Sequence, residues 1–397
     1  MSRILFLAVP SHGHVNPTVG LVHELVRRGE RVTYFAAEPF RERIEGAGAT
    51  FRAYAHDLDI FKGPPLPGQP SALLDVVGRA SEVVGDVLAQ TAGERFDLLL
   101  HSTPFPFARP LGERLGLPRV SSLAVFLGIE PFLRPERDAT TGPFAALPGM
   151  RATLARASGD LQAAHGVRLP ATLREMLHNP GLLNLVYTSR YFAGYPPYFD
   201  DSYCFVGAPV HDRQERVDFP LQQLAGRRVL YISLGTVFAG RAPGLHARFF
   251  AAFADWDGVV VLAAHGVDLA GAPVPANFIV RGYVPQTAVL RYASVAITHG
   301  GMNSMSDLLA ARVPFVCLPL GADQPALAAR ACELGATLVL DAAGASPAEL
   351  RAAVDRVDGE PRFREGIARI ADSFAAAGGY PKAVDEIFAL QRRLGIR

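Results

Sequence analysis

Two stretches of this sequence concentrate side chains able to do chemistry. In VPSHGHVNP, residues 9–17, His12 and His14 flank a glycine directly after an apolar run. Imidazoles so placed could ligate a metal, take a proton from a hydroxyl near neutral pH, or simply end a strand. A metal would need a third and a fourth ligand, and no residue nearby has suitable spacing for that. His101 stands in a comparable place, where it reads best as a strand end. The second stretch is THGGMNSMSDLLAARVP, residues 298–314, in which an apolar strand runs into His299, two glycines and a helix from about Asn303. Glycines let a ligand approach the backbone, and the free N–H groups and dipole of a helix start attract an anion. His299 could add a hydrogen bond to a diphosphate. A plain tight turn would use the same glycines.

These residues need elements to position them. Apolar runs at 4–9, 31–36, 96–101 and 118–125 alternate with helical patterns at 16–29, 39–48 and around 107–115. In the first helix Asn16 reads as the N-cap, Pro17 as a first-turn residue, and Arg27, Arg28 and Gly29 as the end. Strand–helix–strand order requires parallel pairing with right-handed crossovers. Residues 126–175 are less regular and rich in Phe, Pro and Arg, as a specialised segment would be. After residue 205 the pattern restarts, with apolar runs at 229–235, 259–265, 278–284, 295–300, 315–320 and 336–341. Ser346, Pro347 and Glu349 form a capping-box signature. The expected fold is α/β, with two Rossmann-like domains at 1–205 and 226–397 joined by a linker at 206–225. Open α/β sheets bind ligands beyond the carboxyl ends of their strands, and two such domains would leave a cleft. His14, Ser102, Gly235–Thr236, Tyr283–Gln286, His299–Ser304 and Asp323–Gln324 all follow apolar runs.

Composition narrows the class. The 397 residues suit two domains, and 49% hydrophobic content suffices for two cores. A formal charge of +1 without a basic block gives no support to nucleic-acid binding. Cys204, Cys317 and Cys332 lie far apart and form no disulfide framework, which fits a reducing compartment. The apolar run Ile4 to Val9 is too short for a signal segment or a membrane span. A cytoplasmic protein without stable membrane insertion is expected. The oligomeric state is not legible.

Beyond the two reactive stretches, GHVNP (13–17), DLLLHS (97–102), YTSRYF (187–192), FDDSYCFVGAP (199–209), YISLGTVF (231–238), RGYVPQ (281–286), ITHGGMNS (297–304) and PLGADQ (319–324) follow one another in a telling order. Their order and spacing resemble the family-1 glycosyltransferases, GT-B-fold enzymes that use nucleotide sugars, and most closely the bacterial macrolide and natural-product branch. The resemblance implies a UDP- or TDP-sugar donor in the C-terminal domain, a hydrophobic small-molecule acceptor in the N-terminal one, and a last helix packing back on the N-terminal domain. No separate cofactor is implied. Tyr283 would stack on the donor base, with the Val284 backbone and Gln286 nearby. His299, Gly301, Asn303 and Ser304 would surround the diphosphate, with Gly235 and Thr236 facing phosphate. Asp307 stands where the family usually has a glutamate for the ribose hydroxyls. Asp323 and Gln324 would bind the sugar hydroxyls. Arg312 replaces a usual glycine, and Leu327 a usual asparagine.

The resemblance also makes His14 the general base of a metal-independent, inverting transfer. Its usual aspartate partner is missing: Ser102 occupies that position, and Asp97 lies at the start of the same strand. Ser102 can accept a hydrogen bond from the imidazole but brings no negative charge. Phe105, Phe126, Phe132 and Phe144 could wall a pocket for a polyketide, macrolide or phenolic acceptor, or could fill the core. A catalytically weak or inactive nucleotide-sugar or aglycone binding or auxiliary protein is the alternative that Ser102 favours.

Overall fold

Long apolar runs separated by amphipathic helices resolve into two parallel sheets. The computed structural model describes residues 1–61, 71–124, 149–171, 173–194, 199–210, 218–235, 244–267, 269 and 273–396. The first sheet comprises β1 (Arg3–Leu7), β2 (Arg31–Ala36), β3 (Thr50–Ala53), β4 (Leu98–Ser102), β5 (Arg119–Leu123), β6 (Leu183–Val186) and β7 (Tyr203–Phe205), in the order β3-β2-β1-β4-β5-β6-β7. The second comprises β8 (Val229–Ser233), β9 (Val259–Ala263), β10 (Phe278–Arg281), β11 (Val295–Thr298), β12 (Phe315–Cys317) and β13 (Thr337–Val339), in the order β10-β9-β8-β11-β12-β13. Every pairing is parallel. Helices therefore cover both faces, and the central strands are buried throughout: all of β4 and all of β8 are sealed from water. In β1, Ile4 and Phe6 pack with Val15 and Val19 on one face, while Leu5 and Leu7 pack with Val83 and Leu111 on the other.

Both sheets are wound alike. The first strand of each is central, and the order reverses beside it, between β1 and β4 and between β8 and β11. Contacts divide the chain into two units: Met1–Thr188, Tyr195–Pro209 and Ala377–Arg397 form one, Ser189–Gly194 and Val210–Ala376 the other. The last helix, Gly379–Arg393, belongs to the first unit. The Tyr380 ring fills the space over Gly20 where a Cβ would lie, and its hydroxyl donates to the Pro17 carbonyl at 2.8 Å. The opening of the expected linker also lies in the first unit, since Val206 and Gly207 N–H groups bond to the Val186 and Thr188 carbonyls. Residues 211–217 of that linker lie outside the described residues. Among the described residues no helix is long and apolar enough to cross a membrane.

The first helix corrects the sequence reading. It spans His12–Arg27 with Ser11 as the N-cap, so Asn16 and Pro17 lie inside it. The Ser11 carbonyl accepts from His14 and Val15 N–H at 3.0 and 2.9 Å and starts the helix early. Pro17 forfeits one hydrogen bond, and the carbonyl its ring crowds belongs to Gly13, which adds no side chain of its own. Asn16 Oδ1 instead accepts from the Arg43 guanidinium. The consequence is functional: His14 sits within the first helical turn. The short strands β3, β6 and β7, of four, four and three residues, carry too little pattern to be read from sequence. Of the irregular stretch, 125–148 lies outside the described residues, and Met150–His165 is a helix. The Ser346–Glu349 capping box is present with both of its hydrogen bonds.

Arg312 also finds its explanation. It follows helix Met302–Ala310, with φ 57° in the left-handed region. Its N–H bonds to the Leu309 carbonyl at 3.1 Å, and Val313 N–H bonds to the Leu308 carbonyl at 3.0 Å. This is a Schellman motif whose left-handed position ordinarily takes glycine. Here an arginine bears the strain and pairs with Asp372 on helix Pro361–Ala376, both side chains being exposed. A left-handed L-residue costs about 1–2 kcal/mol, an exposed pair returns about 0–1 kcal/mol, and glycine adds roughly 0.4–1 kcal/mol of unfolded-state entropy. Arg312→Gly is therefore expected to hold stability or gain up to about 1 kcal/mol, whereas β-branched Arg312→Val should lose about 1 kcal/mol or more. Urea unfolding measures both. A glycine variant clearly less stable than the valine variant would contradict this account.

Candidate active site

The carboxyl edge of the first sheet holds His14 and Ser102. After β1 the chain is strapped in place. Ala8 N–H bonds to the Phe35 carbonyl at 3.2 Å, the Tyr54 hydroxyl donates to the Ala8 carbonyl at 3.0 Å, and Ser11 N–H bonds to the Val9 carbonyl at 2.8 Å. The helix then lifts His14 into a buried position, 5% exposed. Burial pushes its pKa down to about 4, and the positive end of the helix acts in the same direction. The imidazole is thus neutral at physiological pH, the form a base requires. Its Nδ1 is sealed from water and has no hydrogen-bond partner among the described residues. Its ring stacks on Phe61, with centroids 5.1 Å apart and planes 10° from parallel.

The orienting hydrogen bond expected from Ser102 is not made. Ser102 is buried, and its Oγ accepts the Val9 N–H at 3.2 Å, which ties β4 to the turn after β1. Asp97 is no substitute, because its carboxylate accepts the Arg3 N–H at 2.7 Å at the opposite end of the strand. His101 Nδ1 lies 2.9 Å from the Ser102 carbonyl, so it carries the proton, and burial lowers its pKa to about 3. His12 is exposed and meets Phe40 edge-on. Phe105 does not line an open acceptor wall: it is fully buried among core residues, against Tyr54 and Phe107. A ring between two strand ends in a closely packed sheet face has no surface left for a ligand. Phe126, Phe132 and Phe144 lie outside the described residues.

The second sheet presents its own group at the corresponding edge. His299 follows β11, and Gly235 (φ 73°) follows β8. The imidazole is wedged between Gly235 and Gly301: a Cβ on Gly235 would fall 2.6 Å from Nε2, and one on Gly301 would overlap the ring. Those two positions therefore need to be glycine for His299 to hold its place. Burial lowers the His299 pKa to about 4. Gly301 is the N-cap of helix Met302–Ala310 and brings no side chain to cap it. The N–H groups of its first turn, which carries Asn303 and half-buried Ser304, face outward from the helix start. Thr236 lies outside the described residues.

Further residues gather around this edge of the second unit. The Tyr231 hydroxyl donates to Gln286 Oε1 at 3.1 Å, and Gln286 Nε2 donates to the Asp307 carboxylate at 2.6 Å. The short, buried Asp307 is thus held by Gln286. Tyr283 keeps 41% of its surface exposed, while Val284 behind it is buried. Gln324 is buried, and its Oε1 accepts the Leu320 and Gly321 N–H groups at 2.7 and 3.2 Å. Its Nε2 is left without a partner among the described residues. Burial raises the Asp323 pKa to about 6 against the opposing effect of its own backbone N–H. Ala322, just before it, is held at φ 55°. Leu327 is a buried core residue.

Phe61 and the Val9 N–H escaped sequence reasoning. Phe61 lies in LDIFKG, which has no motif, and a backbone donor leaves no trace in the sequence. Tyr231 lay inside a quoted motif but reads as a plain strand residue. Among the described residues no group of three His, Cys, Asp or Glu side chains could hold a metal ion.

The buried imidazoles have a consequence for stability. His14, His101 and His299 have folded pKa values of about 4, 3 and 4 against 6.5 for the exposed group. As pH falls below 6.5 the unfolded chain binds more protons than the folded one, so stability falls with pH. Asp323, with its raised pKa, works in the opposite direction over part of this range, while His246, also lowered by burial, adds to the loss. The midpoint of thermal unfolding should decline steadily from about pH 7 to about pH 4.5. A midpoint that is flat or rising across that range would contradict these assignments.

Comparison with known proteins agrees with the geometry. Residues 247–390 match the family described as Erythromycin biosynthesis protein CIII-like, C-terminal domain. The chain is 33% identical over 402 residues to a Bacillus subtilis protein named Uncharacterized UDP-glucosyltransferase YdhE, covering 99% of both. It is 30% identical over 418 residues to the demethyllactenocin mycarosyltransferase of Streptomyces fradiae, covering 98% of this chain and 87% of that one. A crystal structure of the calicheamicin glycosyltransferase superposes with a TM-score of 0.79 at 28% identity, covering 99% of both chains. With its paired doubly wound sheets and near full-length similarity to these enzymes, the chain belongs to the family-1 glycosyltransferases of GT-B fold, in their bacterial natural-product branch.

Proposed function

We propose that this glycosyltransferase moves a sugar from a UDP- or TDP-sugar to a hydroxyl of a hydrophobic natural product, with inversion at the anomeric carbon and without a metal. The observation that carries the reading is His14, a buried imidazole held neutral in the first turn of a helix at the strand-order reversal of its sheet. An alcohol is a weak nucleophile until its proton is leaving. His14 Nε2 takes that proton while the oxygen attacks the anomeric carbon from the face opposite the diphosphate. The bond from that carbon to the phosphate oxygen breaks, and the diphosphate departs with the electron pair.

Stabilisation of the departing charge falls to the helix start at Gly301–Ser304 and to His299, fixed dipoles and donors that need no reorganisation. Thr236 would add a contact to phosphate. Tyr283 supplies an exposed ring for the donor base, beside Val284 and Gln286. Asp307 serves the ribose with Gln286 behind it. Asp323 and the free Nε2 of Gln324 serve the sugar hydroxyls. The mycarosyltransferase named above, whose name gives demethyllactenocin as its acceptor, supports a natural-product acceptor.

One observation favours the second reading, a protein that binds donor or aglycone with little turnover: His14 Nδ1 lacks the partner that would stabilise its cation. A panel of UDP- and TDP-sugars with polyketide, macrolide and phenolic acceptors separates the two. Turnover by the wild type is expected, and His14→Ala should lower kcat by about 100-fold or more with the donor KM held. Undiminished turnover in His14→Ala would overturn the base assignment. Tight donor binding by the wild type without turnover on any acceptor would favour the binding protein.

A further inference from the structure

The family's carboxylate partner is replaced by Ser102, Ser102 is engaged by Val9, and Nδ1 of His14 makes no hydrogen bond among the described residues. One specific contact to the imidazole ring stands out: Phe61, stacked nearly parallel at 5.1 Å. We propose that Phe61 is the positioning residue of His14, fixing the plane of the imidazole and stabilising the imidazolium that forms when the acceptor proton is taken. The inference rests on the reading of His14 as the base.

The loop that carries Phe61 is built to hold it. Leu58 and Ile60, on either side of Asp59, are buried in the core that also contains Leu73 and Val76. Asp57 Oδ1 accepts the Asp59 N–H at 3.1 Å, Asp59 Oδ1 accepts the Phe61 N–H at 3.0 Å, and Ile60 N–H bonds to the Leu58 carbonyl at 3.0 Å. Successive side-chain turns of this kind fix the backbone locally. Two buried anchors and these short-range bonds set Phe61 down with 40% of its surface still exposed.

The chemistry suits the contact. A neutral imidazole stacks on a phenyl ring as one aromatic on another. Once protonated it becomes a cation over the negative face of that ring, an attraction that strengthens when water is excluded. The interaction thus grows along the reaction, as the missing carboxylate's would, though by less. It also makes no demand on Nδ1, which agrees with that atom having no partner.

The test compares Phe61→Leu and Phe61→Tyr with wild type and His14→Ala, using an acceptor turned over by the wild type. Leucine keeps an apolar side chain but removes the aromatic face. Phe61→Leu is expected to lower kcat about five- to tenfold with donor KM unchanged. Phe61→Tyr should restore kcat to within about twofold, and both should unfold at the wild-type temperature because the side chain is substantially exposed. Wild-type kcat in Phe61→Leu, or equal losses in the leucine and tyrosine variants, would overturn the positioning role while leaving His14 as the base. Wild-type turnover in His14→Ala would overturn both.

Discussion

When the order of strands reverses beside the first strand of a parallel sheet, the crossovers on either side run in opposite directions and leave the carboxyl edge uncovered there. Each unit of this protein places an imidazole at that gap. His14 follows β1, the strand beside β4, and His299 follows β11, the strand beside β8. In both places a helix begins at once, so each ring sits against a positive helix end in a partly dehydrated setting. The same winding thus produces two neutral histidines. One is suited to taking a proton, and the other to sitting beside an anion as a donor.

How each ring is held differs, and residue size decides it. His299 is clamped by absence: Gly235 and Gly301 leave room for the imidazole and for nothing more. His14 is held by a side chain instead, since the position that carries aspartate in the family carries Ser102, whose short hydroxyl is taken by the Val9 N–H. The turn after β1 gains a tie to β4, and the imidazole loses an electrostatic partner. A burial that lowers the His14 pKa to about 4 keeps the base neutral but weakens its pull on a proton, so the acceptor hydroxyl must supply more of the driving force.

Much of this was legible before any coordinates. Apolar runs gave the central strands, because strands buried on both faces read as continuous hydrophobic segments. Gly-Gly before an apolar-periodic run marked the start of helix Met302–Ala310. The failures have local causes. Asn16 and Pro17 look like a helix start, yet the Ser11 carbonyl starts the helix earlier. Ser102 stands at the aligned position, but a backbone N–H that no sequence displays takes its oxygen. Phe105 shows its type and not its burial. Arg312 looked like an unexplained departure until its left-handed φ showed why glycine is usual there. The Gln286 amide that donates to the Asp307 carboxylate comes from a motif elsewhere in the chain, and only folding joins the two. Phe61 belongs to no motif, and only folding brings it to His14.

The central claim is that a buried, neutral His14 is the base. The most direct measurement is the pH dependence of kcat/KM for the acceptor at saturating donor, which reads the protonation of the free base. With a His14 pKa of about 4, activity should hold on acidification through the ordinary imidazole range and fall only below about pH 5. An acidic limb centred near 6.5 would contradict the account, because it would mean that the base is an exposed histidine rather than the buried one.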